Sequence, residues 1–465
     1  MWGEIMEKID KNKLLGEEDV KKLLIKFSVP AIVGMLVNAL YNVIDKIFLG
    51  QVSSLAIAGV HLTYPVSLII MAFSMLIGMG GNSLSSIRMG QGRIKQSEKI
   101  LGQSFTLQFV LSVVLTTVLL LFPEAILRKL GSSEALLPIA TEYLSILAIG
   151  IPAQLLGFGM NFFIRGEGSP STAMGTMLIG AITNIILDYV FVIVMGMGVK
   201  GAALATIVGQ FLSMIWVFAF FLGKKTSLKL KRENLRFELP VVKEIVALGL
   251  APFGMQIAAS LVIVVFNLQV NHYGDDQAIA AMGIMHSIST LAFMPVFGLN
   301  QGSQPIIGFN YGAKKHDRVK EAFKLACIVA TIYMTLTYLA MMFIPETLIK
   351  AFIMNAKDID KVMPGAVSCL RLSSLANPVV GFQIISANYF QATGKAVRGI
   401  VLSLSRQLLV LLPVLIIAPR FLGLNGVWLT YPISDVISFL LTLAFMLKEL
   451  KLLNKEIELE SLNQH

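Results

Sequence analysis

Twelve apolar runs, each long enough to cross about 30 Å of hydrocarbon, alternate with short polar stretches along the 465 residues. They predict helices over 24–49, 57–82, 101–122, 137–163, 170–195 and 199–222, then over 242–270, 278–303, 321–344, 364–390, 396–418 and 423–447. The two sets of six resemble each other. Pro30, Ala56-Ile57-Ala58, Gly78, Gly92, Gly168 and Gly198-Val199-Lys200-Gly201 have echoes at Pro252, Ala278-Ile279-Ala280, Gly298, Gly312, Gly394 and Gly423-Leu424-Asn425-Gly426, at offsets of 220 to 226 residues. A duplicated six-helix unit is the signature of a membrane transporter whose two lobes face each other across a midplane site. The reading is therefore an all-α polytopic membrane protein, with twelve transmembrane helices in two pseudo-symmetric lobes around a central cavity. Its parts are an N-tail (1–23), a first lobe (24–222), a basic linker (223–241), a second lobe (242–447) and a C-tail (448–465).

Composition agrees. Hydrophobic residues make up 55% and charged residues 14%, against about 25% charged in soluble domains. A soluble core has no room for so much apolar surface, so lipid must cover it. The excess of 38 Lys and Arg over 28 Asp and Glu would point to nucleic acid in a soluble chain. Here it sorts by side. With twelve spans, 28 basic residues fall on the side that bears both termini, 7 on the other and 3 within spans. Basic loops stay inside, so both termini are expected in the cytoplasm of a multi-pass plasma-membrane protein. The first 26 residues mix acidic and basic residues and lack the apolar stretch of a cleaved signal. Cys327 and Cys369 both lie in predicted spans, so neither a disulfide nor a cysteine metal site is expected.

Two loops on the basic side share a pattern. Gly90-Gln91-Gly92 precedes Arg93, Lys95 and Lys99; Asn310-Tyr311-Gly312 precedes Lys314, Lys315, Arg318 and Lys320. Glycine permits a sharp turn, and a short basic helix after it can lie on the anionic inner leaflet. A solvated loop that merely sets topology is the plainer reading.

Few ionisable residues lie deep in the spans: Asp45, Lys46, Asp188, Arg371, Arg406 and Asp435. A charge at the bilayer centre costs about 2.5–3.5 kcal/mol on insertion scales, so such residues face a cavity or a partner. Asn38, Tyr41 and Asp45 share one face of the first helix. Asn184 and Asp188 are four apart in the fifth; Thr206 and Gln210 are four apart in the sixth. At 1.5 Å per residue, Asp188 and Thr206 lie roughly 10 Å from the outer surface and Asp45 roughly 7 Å. Two carboxylates, an amide and a hydroxyl at one level can hold Na⁺ through oxygen, or can share a proton. The plainer alternative neutralises Asp45 with Lys46 and makes Asp188 an interhelical contact. The repeat partners, Asn267 and positions near Pro413 and Tyr431, carry no carboxylate, which confines the cluster to the first lobe.

Arg406 and Asp435 fall near the midplane on neighbouring helices and read as a structural ion pair. Pro30 removes a backbone hydrogen bond from the helix that carries Asp45, which makes it either a hinge coupled to ionisation or a static kink. The 23 Met and 28 Phe residues can line an adaptable apolar pocket, though most such residues pack between helices or face lipid. There is no Walker A sequence, no HExxH, no GxSxG and no metal-spaced His or Cys set, so no ATP motor or enzyme is indicated.

Longer stretches resemble a known family. Tyr41-Asn42-Val43-Ile44-Asp45-Lys46-Ile47-Phe48-Leu49-Gly50 and Thr183-Asn184-Ile185-Ile186-Leu187-Asp188 resemble the first- and fifth-helix motifs of the multidrug and toxic compound extrusion (MATE) family. Asn388-Tyr389-Phe390-Gln391-Ala392-Thr393-Gly394-Lys395 and Leu402-Ser403-Leu404-Ser405-Arg406-Gln407 are similar to its second-lobe motifs. The resemblance covers nearly the whole chain and is nearest the DinF-like and MepA-like branch. It implies export of amphipathic, often cationic, organic compounds in exchange for H⁺ or Na⁺. Carried over by motif, Asp45, Asn184, Asp188 and Thr206 would form the coupling site. Tyr41 and Tyr143 would line its cavity, with Gln154 and Asn161 as weaker matches in the fourth helix. One branch binds sodium through a helix 7 glutamate and a helix 10 aspartate; the matching positions here are Ser260 and Val380, which favours the branch that works from first-lobe carboxylates. No cofactor beyond the coupling ion, no nucleic acid and no obligate protein partner is expected; the partners are an organic small molecule and membrane lipid. A flippase for a lipid-linked precursor is the main rival, and would want a wide basic cavity for pyrophosphate. A channel or non-transporting receptor is the other.

Overall fold

A computed structural model describes residues 14–52, 54–130, 132–134, 136–223, 226–352 and 359–462. Among these the chain is helical without strands. The first half forms α1 (Val20–Val52), α2 (Ser54–Gly90), α3 (Ile94–Leu121), the short α4 (Pro123–Lys129), α5 (Leu137–Gly166), α6 (Pro170–Asp188) and α7 (Gly198–Leu222). The second half forms α8 (Leu239–Tyr273), α9 (Asp276–Gly312), α10 (His316–Phe343), the short α11 (Pro345–Phe352), α12 (Ile359–Ser374), α13 (Asn377–Ala392), α14 (Ala396–Leu404), α15 (Leu412–Leu422) and α16 (Leu424–Leu462). Ten helical segments among the described residues are long and apolar enough to cross a bilayer.

The departures from expectation have local causes. The predicted span over 364–390 is two helices of 16 residues each, α12 and α13. Pro378, in the first turn of α13, has no N–H to donate to the carbonyl of Ser374, four residues back at the end of α12, so the hydrogen-bond ladder stops there. The predicted fifth and eleventh spans each contain a π-helical stretch, Tyr189–Val194 after α6 and Ser405–Leu411 between α14 and α15. The last predicted span continues without a helix break: α16 runs on to Leu462, and Glu449 and Leu453 within it are buried. The linker is likewise packed rather than free. Glu98 ties it to α3, meeting Lys231 Nζ at 2.6 Å, and Gln103 Oε1 accepts from the Glu238 amide at 2.9 Å.

The basic turns do not form separate helices. Lys95 and Lys99 already belong to α3, and Arg318 and Lys320 to α10. The glycine pattern resolves into a different register. Gly92 is left-handed (φ +74°), but in the second half the left-handed residue is Lys314 (φ +56°), not Gly312. Gly312 ends α9, where an added Cβ would sit 2.1 Å from Ile87 O; Gly90 ends α2, where one would sit 1.9 Å from Phe309 O. The structural partners are therefore residues 90 and 312, 222 apart, and both glycines serve close backbone approach.

Within the first half, α2 packs on α5, α5 on α7, α6 on α7 and α1 on α6. Between halves, the main contacts are α2 with α8, α1 with α9 and α2 with α9. The largest buried apolar cluster joins the two, running from Leu15, Leu23 and Phe27 through Phe163 to Ile306, Phe323 and Tyr389.

Candidate functional site

The fifth span's first-half helix ends on Asp188, where the hydrogen-bonding pattern loosens from α to π geometry. Such stretches are frequent at functional sites. The close packing of α6 on α7 brings the rest of the site into reach: an added Cβ on Gly209 would lie 2.7 Å from Gly180 O, so small residues let the two backbones approach. On the other side α1 packs along α6, where an added Cβ on Gly34 would meet Met177 Sδ at 2.6 Å. Phe48, three residues beyond Asp45, lies 6.4 Å from the Tyr189 ring, centroid to centroid.

These contacts gather four predicted residues. Asp188 is fully buried, and its carboxyl group faces that of Asp45 within hydrogen-bond reach. With its amide nitrogen toward Asp188, Asn184 donates to Oδ2 at 3.1 Å, and its oxygen accepts from the Thr206 hydroxyl at 3.2 Å. With the amide turned, the nitrogen donates to Thr206 Oγ1 at 3.2 Å instead. In that second orientation the single Thr206 hydroxyl proton goes to Ala202 O at 3.0 Å. Tyr143, reached only through the family resemblance, joins this group: it is buried, hydrogen bonded to Thr206, and close enough to feel Asp45, Tyr41 and Asp188. It packs with Leu49, Val192, Val199, Ala202 and Ala203, which form a dry wall behind the carboxyl pair. Asn38 and Tyr41 are half-buried on the Asp45 face of α1.

The remaining candidates go elsewhere. Gln210 lies against Gly150 of α5, whose added Cβ would be 2.7 Å from its Oε1. Gln154 is half-buried on α5. Asn161 belongs to the basic end: its Nδ2 donates to Ala173 O at 2.8 Å and its Oδ1 accepts from Arg165 at 3.2 Å. Ala173 lies fifteen residues before Asp188 on α6, roughly 22 Å along the axis, so Asn161 is not part of the carboxyl cluster. Pro30 lies inside α1, between the basic end and Asp45. The side chain of Lys46, the alternative partner for Asp45, lies outside the described residues. Among those described, no cation contacts Asp188, and no cluster of three His, Cys, Asp or Glu suits a metal ion.

In the second half, Arg406 Nε donates to Asp435 Oδ1 at 2.7 Å. Arg406 sits in the Ser405–Leu411 stretch and Asp435 is buried on α16. Gln383 of α13 donates to the Asp435 carbonyl at 2.5 Å, and Tyr431 stacks on Phe266 at 4.7 Å. Val380 is fully buried in apolar surroundings.

Sequence reasoning missed a set of buried polar groups at the basic end. Arg165, counted as a loop cation, is 3% exposed and reaches Gln301 of α9. Glu449, assigned to the tail, pairs with both Lys395 and Arg398. Glu167 accepts from Thr226 and from the Ser227 and Leu228 amides. No spacing marks them, because their partners are distant in sequence.

The MatE family profile matches two stretches of the chain, residues 30–190 and 253–417. Multidrug export protein MepA of Staphylococcus haemolyticus (strain JCSC1435) is 26% identical over 426 residues, covering 91% of this chain and 93% of that protein. MepA of Staphylococcus aureus (strain MSSA476) is 27% identical over 409 residues, covering 88% and 89%. Among solved structures, MATE in complex with MaL6 superimposes with a TM-score of 0.91 at 23% identity, over 96% of this chain and 99% of that one. An outward-facing MATE family transporter of the MOP superfamily gives 0.89 at 24%, over 95% and 98%. MATE in the bent conformation gives 0.88 at 23%, over 96% and 98%.

Proposed function

Because this chain belongs to the MatE family, we propose that it is a proton-coupled antiporter that exports amphipathic, often cationic, organic compounds from the cell. The MepA relatives, named for multidrug export, support the substrate class. The observation that carries the coupling reading is the meeting of Asp45 and Asp188. Two ionised carboxylates only accept hydrogen bonds, so the contact requires a proton on one of them.

Asn184 can follow that proton. When Asp188 is ionised, the amide nitrogen faces its Oδ2. When Oδ2 carries a proton, the amide oxygen faces it, and the nitrogen donates to Thr206. The Thr206 hydroxyl then keeps its own proton on Ala202 O and accepts from Asn184 and Tyr143. Either orientation uses the same atoms at 3.1 and 3.2 Å. In the proposed cycle, a proton from outside settles on the pair, α1 adjusts about Pro30, and the organic cation leaves the cavity it no longer shares with two negative charges. The protonated protein then reopens inward. Sodium would need the oxygens of Asp45, Asp188, Asn184 and Thr206 together, whereas the Thr206 oxygen is already occupied by three neighbours.

The same reading takes α12 with α13, and the long α16, as spans beyond the ten apolar segments, giving twelve in two lobes. The paired matches at 30–190 and 253–417 support the duplication, and the one-sided distribution of Lys and Arg supports cytoplasmic termini in the plasma membrane. Lipid-linked precursor flipping is less well supported, because Arg406, the deep cation it would use, is held by Asp435.

Proteoliposomes loaded with a fluorescent organic cation test the reading. A pH gradient should drive transport, a Na⁺ gradient should not, and Asp188→Asn should reduce pH-driven flux to that of empty liposomes. Transport by Asp188→Asn at the wild-type rate would remove the site from the mechanism; driving by Na⁺ alone would replace the proton. Pro30→Ala should slow turnover while leaving cation binding intact, and unchanged turnover would make Pro30 a static kink.

A further inference from the structure

The two halves touch most closely at the basic end. An added Cβ on Gly302 of α9 would lie 2.7 Å from Ser28 Cα of α1, and one on Gly298 would lie 2.6 Å from Ile32 Cα. The matching approach joins α2 and α8: Gly80 faces Ile245 O at 2.3 Å and Gly249 faces Leu76 O at 1.8 Å on the same measure. Residues 80 and 302 are again 222 apart, so these two seams are copies of one another. Each also has a segment that leads into the crossing helix and is tied to the opposite half. The linker before α8 is tied to α3 by ion pairs of Glu98 with Lys231 and of Lys99 with Glu238, both at 2.6 Å, and α8 itself is tied to α2 by Arg88 with Glu244 at 3.0 Å.

The segment before α1 is tied differently. Asn310 Nδ2 donates to Leu15 O at 3.0 Å, Lys315 Nζ to Gly16 O at 2.8 Å, and Arg318 Nη2 to Glu18 O at 2.6 Å and Leu15 O at 3.3 Å. Arg318 Nε is aligned by Asn310 Oδ1 at 3.0 Å. Leu15 is fully buried beneath these contacts. Second-half side chains thus grip backbone carbonyls of the first half, and among the described residues no carboxylate of the strap pairs with them. A grip on uncharged carbonyls strands no carboxylate when it lets go, whereas parting the linker would strand Glu167, buried where it accepts from Thr226 and from the Ser227 and Leu228 amides.

Arg165 opposes closure. Its guanidinium is buried where α5 meets α9 and reaches only amides, Gln301 across the seam and Asn161 on its own helix. Its Nε has no acceptor among the described residues, and Phe162 lies 5.8 Å beneath it. A buried cation without a carboxylate is held at a penalty that water would relieve. Parting of Gln301 from Arg165 would admit that water.

We propose that Leu14–Asp19 is a releasable strap that keeps the cytoplasmic seam shut, and that Arg165 is the buried charge that drives the seam open once the strap lets go. This rests on the two-lobe exporter reading. The strap leads directly into α1 (Val20–Val52), the helix that also carries Asp45, so movement of α1 about Pro30 reaches it. The linker, held by buried Glu167, stays fixed.

Spin labels on exposed Lys95 and Glu321, one in each half, test this on the full chain in lipid nanodiscs, in a background with Cys327 and Cys369 replaced by Ala. Lys315→Gln with Arg318→Gln should increase the long-distance population about tenfold, as expected for loss of charge-assisted hydrogen bonds. Arg165→Gln should reduce that population below wild type. These point variants are preferred to truncation, which removes the buried Leu15, and each is checked for monodispersity and thermal midpoint. A distribution unmoved by the double variant in a folded protein overturns the strap; opening, or no change, on Arg165→Gln overturns the opposing charge. The distances do not depend on any substrate, so a failed transport assay with shifting distances removes the exporter reading and leaves the strap. Normal proton-driven export with unmoved distances does the reverse.

Discussion

The fifth span of each half breaks into π geometry, and the two breaks hold opposite chemistry. In the first half the break follows Asp188, whose neighbours are another carboxyl group and an amide. In the second half the break contains Arg406, already matched by Asp435 at 2.7 Å. One backbone device thus frames a site that lacks a proton's worth of compensation and a site that is complete without one. The difference teaches where work is done: a satisfied pair has nothing to exchange, whereas a carboxyl pair changes its contacts each time a proton arrives or leaves.

The sharpest way to break the comparison is to neutralise one carboxylate on each side. Asp188→Asn should abolish proton-driven flux and leave the thermal midpoint nearly unchanged, since an amide can replace a protonated carboxyl. Asp435→Asn should do the reverse. It strands a mostly buried guanidinium, and removal of one partner from a buried pair costs about 3–5 kcal/mol, read as a lowered midpoint in detergent. Replacing Arg406 and Asp435 together with apolar residues of similar volume should recover most of that loss. Equal loss of flux from both single variants, with no loss of stability, would show that the second break is also part of the transport site.

A smaller effect sharpens the same contrast within the first half. Asn184→Leu removes the group that answers to both states of Asp188. A hydrogen bond to a charged group contributes about 1.5–3 kcal/mol, so proton-driven flux should fall roughly tenfold or more, with its pH dependence displaced. Flux reduced at every pH by one factor, with no displacement, would make Asn184 a packing residue. Thr206→Val should fall between this variant and wild type, because Asn184 keeps Asp188 while losing one contact.

How far the sequence led depends on what kind of signal each feature leaves. Hydrophobic run length placed α1 to α3 and α5 to α10, because lipid imposes that length on any spanning helix, but it missed the short α4 and ended α2 and α9 eight and nine residues early, where polar residues continue the helix. The carboxyl cluster left a sequence signal because charges are rare in such runs and Asn184 and Asp188 are four apart on one helix. Tyr143 carries no such mark, since a tyrosine in a membrane helix is unremarkable until its hydroxyl is seen on Thr206. Asn161, reached only through the family resemblance, bonds Ala173 and Arg165, roughly 22 Å along α6 from Asp188. The π breaks were invisible, because no composition distinguishes Tyr189–Val194 from an ordinary apolar turn. The basic-end straps were invisible for a different reason. They use backbone carbonyls, which every residue has, and they join positions some 300 residues apart, as Leu15 and Arg318 do.

The smallest expected effect comes from the ion pair that looks most like Arg406 and Asp435 on paper. Arg128, at the end of α4, and Glu134, in the turn after it, form a salt bridge, both exposed. Arg128 holds the Glu134 carboxyl below its usual range through a hydrogen bond and charge attraction. A carboxyl lowered on folding adds stability above its ordinary titration range and loses it as pH falls through the lowered value. Water and salt screen a pair so exposed. Glu134→Gln should therefore leave the thermal midpoint unchanged within error at neutral pH, and the midpoint of both proteins should be insensitive to added salt. A clear drop for Glu134→Gln would mean that the turn after α4 is pinned by charge, and that burial is not what separates the two pairs. An unchanged midpoint, set beside the loss in Asp435→Asn, assigns the difference to the surroundings of the charges rather than to their number.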